Sequence, residues 1–254
     1  MIKPARINHT VEKPYSWQQI TNGEWIAELL QSRIDEWSPK LFGYHMLKLG
    51  GLSSELATHQ CNIKHQVCLD DKNELKNIIG DPLNLPFKEK MFDACLLIHQ
   101  LDYCSDPHQL LREADRVLIN DGYLIISGFN PFSAIGVASL LPWRKNNLPW
   151  SGRMFTTFRV KDWLSLLNYE VVHQENFAVM PLTKHKTCWT WLENQLGVCG
   201  SSVGGLYFIV ARKRTYPLNP IKKAWSRKRS FSPVSVNYRT GHSLKWKEKL
   251  KMGD

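Results

Sequence analysis

Few residues in this chain have the types and spacing to do chemistry, and most of them lie between positions 50 and 102. A glycine pair, Gly50-Gly51, closes the short run His45 to Leu49. An acidic pair, Asp70-Asp71, follows the strand-like run His65 to Leu69, and Asp81-Pro82 opens a turn. His99 and Asp102 follow the apolar run Phe92 to Ile98. Each has an ordinary use: glycines turn a chain, acids at strand ends are solvated, and an Asp-Pro pair can bond its own backbone. His99 and Asp102 either line the wall of a cleft or act together as a general base near neutral pH. The six cysteines (Cys61, Cys68, Cys95, Cys104, Cys188 and Cys199) include no C-x-x-C pair. Neither a metal site nor a disulfide framework is therefore expected, and reduced thiols suit the cytoplasm.

The elements that must position these residues read as alternating strands and helices. Ile26, Leu29, Leu30, Ile34 and Trp37 keep helical spacing after a possible cap at Asn22, and Ser38-Pro39 ends that helix. Leu52 to His59 reads as a short helix. Phe92 to Ile98 is a continuous apolar run apart from Asp93, as a strand covered on both faces should be. Asp106-Pro107 supplies the first residues of a helix whose apolar positions are Leu110, Leu111, Ala114, Val117 and Leu118. Tyr123 to Ser127 is the next buried strand, which makes a βαβ unit with a parallel crossover. Val160 to Leu167 reads as a helix, and Tyr169 to Phe177 and Leu206 to Arg212 as strands. Ala178 to Gly205 between them has the composition of an inserted loop.

Charge divides the chain in two. The formal net charge is +10, yet residues 212–254 hold 13 of the 33 Lys and Arg against only Glu248 and Asp254, so that segment alone carries +11. Trp225, Phe231, Tyr238 and Trp246 lie among its basic clusters. Basic residues interleaved with aromatics suit RNA or an anionic membrane surface; a disordered, solubilising extension is the other reading. Met1 to Ile20 has no apolar core of a secretion signal, and Phe132 to Trp143 is too short to span a bilayer. A soluble, cytoplasmic protein is expected.

The stretch from Gly80 to Ser127 resembles the core of the class I S-adenosylmethionine-dependent methyltransferases, type 11 group. The resemblance is carried by Asp81-Pro82-Leu83-x-Leu85-Pro86-Phe87, by Phe92-Asp93-Ala94, and by Leu110-Leu111-Arg112-Glu113-x-x-Arg116-Val117-Leu118 followed by Gly122. It extends more loosely from about residue 40 to 212, and it is greatest to uncharacterised bacterial members. It implies an α/β fold: a Rossmann-like, seven-stranded, mostly parallel sheet with helices on both faces and the last strand antiparallel. The domain would cover residues 40–212, with a loop insertion at 178–205, a helical extension at 1–39 and a basic tail at 213–254.

The resemblance also implies S-adenosyl-L-methionine as cofactor, and an acceptor that is most simply a small molecule. In the family pattern Gly50 and Gly51 approach the methionine end, Asp70 (or its neighbour Asp71) accepts from the ribose hydroxyls, and Asp81 accepts from the adenine amino group. Pro82 and Leu83 lie beside the adenine ring, while Ile98 and His99 line the cofactor and substrate cleft. No catalytic residue and no oligomeric state follows from it.

The chain departs from the family at the first strand. Lys48 stands where an acid belongs, and Leu52 where a second alternate glycine belongs. An ammonium there would face the cofactor's own cationic amino end. Either Lys48 turns away, or the cofactor sits differently, or binding is weak or lost. Two functions thus stay open: a working methyltransferase, and a non-catalytic descendant that binds through its tail. A nicotinamide dehydrogenase does not, because Gly50-Gly51-Leu52-Ser53 is not G-x-G-x-x-G.

Overall fold

In the computed structural model, described residues are 13–71, 78–133, 136, 148, 150–178 and 204–215. Most of the 178–205 insertion and nearly all of the basic tail lie outside them.

Seven strands form one sheet: β1 (His45–Leu49), β2 (His65–Asp70), β3 (Ile78–Ile79), β4 (Phe92–Ile98), β5 (Leu118–Phe129), β6 (Tyr169–Phe177) and β7 (Leu206–Lys213). Their order is β3-β2-β1-β4-β5-β7-β6. Pairing is parallel from β3 through β5, and β7 is antiparallel to both of its neighbours. This is the Rossmann-like architecture with one reversed strand that the resemblance implies.

Both faces of the sheet are covered, which explains the unbroken apolar runs. In β4, Cys95 and Leu97 point into one core with Leu110, Leu111 and Val117 of α3 (Pro107–Val117) and Val160 and Leu164 of the helix Thr157–Leu166. Ala94, Leu96 and Ile98 point into the other core, against Ile26, Leu30 and Ile34 of α1 (Gly23–Trp37). Burying a Leu or Ile side chain in this way stabilises the fold by roughly 1.5–3 kcal/mol. Helix α1 is therefore a structural layer of the domain, although its sequence reads as an extension before residue 40.

Local signals set the helix ends. The Asp106 side chain accepts from the Gln109 N–H at 3.0 Å with Pro107 in the first turn, and Thr156 accepts from the Arg159 N–H at 3.2 Å. Asn22 precedes α1 in the left-handed region (φ 57°) and makes no side-chain cap bond. Helix α2 is only Gly51–Glu55, shorter than Leu52 to His59.

Candidate functional site

Strand β1 has β2 on one side and β4 on the other, so the chain's progress across the sheet reverses at β1. A crevice at the carboxyl ends of the strands flanking such a reversal is where an open α/β sheet binds a ligand. Gly50, Asp70 and His99 all come to that edge, at the ends of β1, β2 and β4.

The turn between β1 and α2 needs glycine. Gly50 lies at φ 86°, ψ 158°, which a residue with a Cβ rarely adopts. Its N–H donates to the Leu69 carbonyl at 2.8 Å, fixing the turn to the end of β2. A Cβ at Gly51 would run into the Tyr15 carbonyl oxygen, and one at Gly50 into the Gln100 amide oxygen. Ser53 of α2 accepts from the Ile98 N–H at 3.0 Å and so joins α2 to the end of β4.

Asp70 ends β2 and is 2% exposed. Its Oδ1 accepts from Lys13 Nζ and from the Asp71 N–H, each at 2.8 Å. Its Oδ2 is buried and has no hydrogen-bond partner among the described residues. Lys13 also reaches Asp71 Oδ1 at 2.6 Å. Burial would lower the Lys13 pKa, but the two carboxylates outweigh it and hold the ammonium above its ordinary range. Asp71 is the more solvated acid, its side chain 39% exposed.

His99 sits just past β4 in the left-handed region (φ 54°), a conformation that persists where neighbours determine it. Its N–H donates to the Ser127 carbonyl. The ring packs against Phe129 at 4.2 Å and edge-on to Trp17 at 5.8 Å. Nδ1 lies 3.0 Å from Asp102 Oδ2, which also accepts the Phe129 N–H at 3.0 Å. A carboxylate at Nδ1 favours the tautomer with the proton there and leaves Nε2 as the acceptor. That Nε2 is buried and has no partner among the described residues. Burial pushes the Asp102 carboxyl up, and the bonds from His99 and Phe129 oppose this.

The remaining candidates fall in several places. Asp81 is exposed, and its two oxygens accept from the Leu83 N–H at 2.9 Å and the Asn84 side-chain amide at 2.7 Å, closing its own turn. Pro82 is buried beside it and Leu83 half-buried. The Ile98 side chain belongs to the core under α1, so Ile98 offers the edge only backbone. Asn130 spends its amide on the Gly204 carbonyl and the Phe132 N–H, as a loop residue would.

Lys48 turns away from the glycine turn. Its side chain is on the Met46 face of β1, 5% exposed, and Nζ donates to the Leu56 carbonyl at 2.8 Å. No ammonium therefore faces the cofactor's amino end from this position. Lys48→Glu is expected to destabilise the fold by about 3 kcal/mol or more, since it buries a carboxylate against a carbonyl oxygen. A urea titration of the variant checks this, and tighter cofactor binding is not expected from it.

Sequence reasoning missed Lys13, Tyr15, Trp17 and Gln100. Trp17 opens a 3-10 turn (Trp17–Gln19), and its indole N–H donates to the Leu52 carbonyl at 3.2 Å. Nothing in the composition of residues 13–17 marks them, and the family resemblance begins after them.

Residues 51–126 match the methyltransferase-domain family. The chain is 44% identical over 237 residues to the uncharacterized protein YafS of Escherichia coli strain K12, covering 92% of this chain and 96% of that protein. The chain belongs to the family of YafS, within the class I S-adenosylmethionine-dependent methyltransferase superfamily, type 11 group. A shorter match, 34% identical over 80 residues, joins 31% of it to 34% of the demethylmenaquinone methyltransferase of Thermobifida fusca. Among solved structures it resembles an S-adenosylmethionine-dependent methyltransferase from Archaeoglobus fulgidus (TM-score 0.51, 18% identity, 74% of this chain and 94% of that one). It also resembles the [4+2]-cyclase SpnF (TM-score 0.54, 16% identity, 84% and 89%). These two likenesses concern the fold alone.

S-adenosylmethionine is the cofactor of this superfamily, and the residues of the YafS-family site fit it. Asp70 Oδ2 is a buried acceptor without a donor among the described residues, where one hydroxyl of a ribose pair would supply it. Gly50, at positive φ, and Gly51 form the turn at the same sheet edge, with the Gln100 amide oxygen and the Tyr15 carbonyl packed where their Cβ atoms would be. Among the described residues there is no His, Cys, Asp and Glu cluster able to hold a metal ion and no helix long and apolar enough to cross a membrane.

Proposed function

We propose that this protein transfers a methyl group from S-adenosylmethionine to a small-molecule acceptor, with His99 taking the acceptor's proton. The observation that carries the reading is one sheet edge holding a buried, donorless Asp70 oxygen, a glycine turn and a buried, donorless His99 nitrogen. When bound, the cofactor supplies an electrophilic methyl on a sulfonium, so the chain's task is to align donor and acceptor. Asp70 would hold the ribose hydroxyls, and the Gly50-Gly51 backbone would lie along the methionine end. Asp102 holds the His99 ring in the tautomer that leaves Nε2 able to accept a proton. The His99 ring has no exposed side-chain surface, so an acceptor reaches Nε2 only when the ring packed on it, Trp17, moves aside.

The test is transfer of label from methyl-tritiated S-adenosylmethionine into low-mass compounds of a cell extract. Wild type should yield a labelled product, and His99→Gln should form it about 100-fold or more slowly, the usual contribution of a positioned base. No labelled product from any fraction, or full transfer by His99→Gln, contradicts the proposal. Asp81→Ala should weaken S-adenosylhomocysteine binding by roughly 0.5–1.5 kcal/mol, the net worth of one hydrogen bond at an exposed acid, read by calorimetry.

A further inference from the structure

Residues 13–17 run along the same edge that the cofactor would use, and contact it at three strand ends in turn. Lys13 Nζ bridges Asp70 and Asp71 at the end of β2, at 2.8 and 2.6 Å. The Tyr15 carbonyl lies over Gly51, at the turn after β1. Trp17 lies against His99, at the end of β4, and bonds α2 through both its indole N–H and its backbone N–H, the latter to Glu55 at 3.1 Å. The segment thus covers the ribose acid, the glycine turn and the histidine in the order β2, β1, β4. A ribose diol that spans both carboxylate oxygens needs Oδ1 as well as Oδ2, and the Lys13 ammonium holds Oδ1 while Oδ2 has no donor among the described residues. The room left by two absent Cβ atoms is filled by the Tyr15 carbonyl and the Gln100 amide.

We infer that residues 13–17 are a latch over the cofactor site, with Lys13 on the Asp70 oxygen that one of the two ribose hydroxyls would need, so that cofactor entry displaces the segment. The inference rests on the assignment of this edge to S-adenosylmethionine. It gives Lys13 and the cofactor opposite effects on one acid. Whatever stabilises the latched form without binding cofactor weakens apparent affinity by the fraction of molecules left open. A protein latched nine-tenths of the time or more binds about ten-fold or more weakly than an open one.

The test uses the full chain with S-adenosylhomocysteine as probe, in wild type, Lys13→Met and Lys13→Arg. Lys13→Met keeps the aliphatic stem and removes the charge; it should tighten binding about ten-fold or more while lowering the melting temperature of the ligand-free protein. Lys13→Arg retains a cation for both carboxylates and should stay near wild type. Hydrogen exchange should show the amides of residues 17–20 exchanging faster when S-adenosylhomocysteine saturates the wild-type protein. Unchanged or weaker binding in Lys13→Met, with wild type binding normally, overturns the latch and leaves the cofactor assignment standing. Slower exchange of residues 17–20 on saturation also overturns it, because the segment would then close over the ligand. If neither wild type nor Lys13→Met binds, the cofactor assignment falls and the latch with it.

Discussion

In the Lys13→Met background, Asp70→Ala is expected to reduce affinity for S-adenosylhomocysteine at least about 100-fold. Two hydroxyl donors to one charged acceptor, at about 1.5–3 kcal/mol each, give at least that factor. The side chain is the last of β2 and almost fully buried; its Oδ1 already holds two donors while its Oδ2 has none among the described residues. In the wild-type chain the same change removes one of Lys13's two carboxylates, which opens the latch and offsets part of the loss. Calorimetry of Lys13→Met with and without Asp70→Ala separates the two effects, since only the double variant lacks both latch and acceptor. Affinity within about three-fold of Lys13→Met in that double variant would remove Asp70 from the site.

Asp102→Ala should cost roughly 2–6 kcal/mol of fold stability, the loss of the acceptor for two buried donors at about 1–3 kcal/mol each. It leaves the His99 Nδ1–H and the Phe129 N–H buried with no acceptor. Both donors use the same oxygen, Oδ2, so the amide oxygen of Asp102→Asn can accept from both and that change should cost less. The pH dependence distinguishes charge from shape. Burial raises the Asp102 pKa above its ordinary 3.8, so the folded state holds the proton more tightly than the unfolded state. Its contribution to stability is then fully present below about pH 4 and is lost as pH rises through the folded value. Relative to wild type, Asp102→Asn should therefore look worst at the acid end and improve as pH rises, which urea midpoints across the acid range will show. A flat difference between the two proteins would mean that Asp102 keeps an ordinary pKa.

The middle of the fold was legible because its sequence signals are long and agree. Beyond Asp93, the run to Ile98 is apolar on both alternations since α1 covers one face and α3 the other. Asp106-Pro107 capped the helix it preceded. Strand β3 escaped notice because two residues, Ile78 and Ile79, carry no periodicity. Helix α1 was recognised as a helix but not as a layer, since its partners Met46, Leu96 and Phe208 come from three distant strands.

At the site, strand-end residues could be placed but their directions could not. Lys48 looked like a misplaced cation until the pleat of β1 put it on the Met46 face, toward the Leu56 carbonyl. Ile98 was placed correctly at the end of β4, yet the same alternation sends its side chain into the core. Asp81 kept its turn-forming bonds, which neither require nor forbid an adenine partner. The Lys13–Asp70 pair spans 57 residues and has no local pattern, so only folding reveals it.

The central claim is that this edge binds S-adenosylmethionine despite its altered first-strand motif. The most direct measurement is calorimetric titration of the purified full-length protein with S-adenosylhomocysteine, beside Lys13→Met to allow for the latch. The expected result is saturable binding of about one ligand per chain, abolished or greatly weakened by Asp70→Ala in the Lys13→Met background. No heat and no saturation in either wild type or Lys13→Met, with both proteins folded, would contradict the claim.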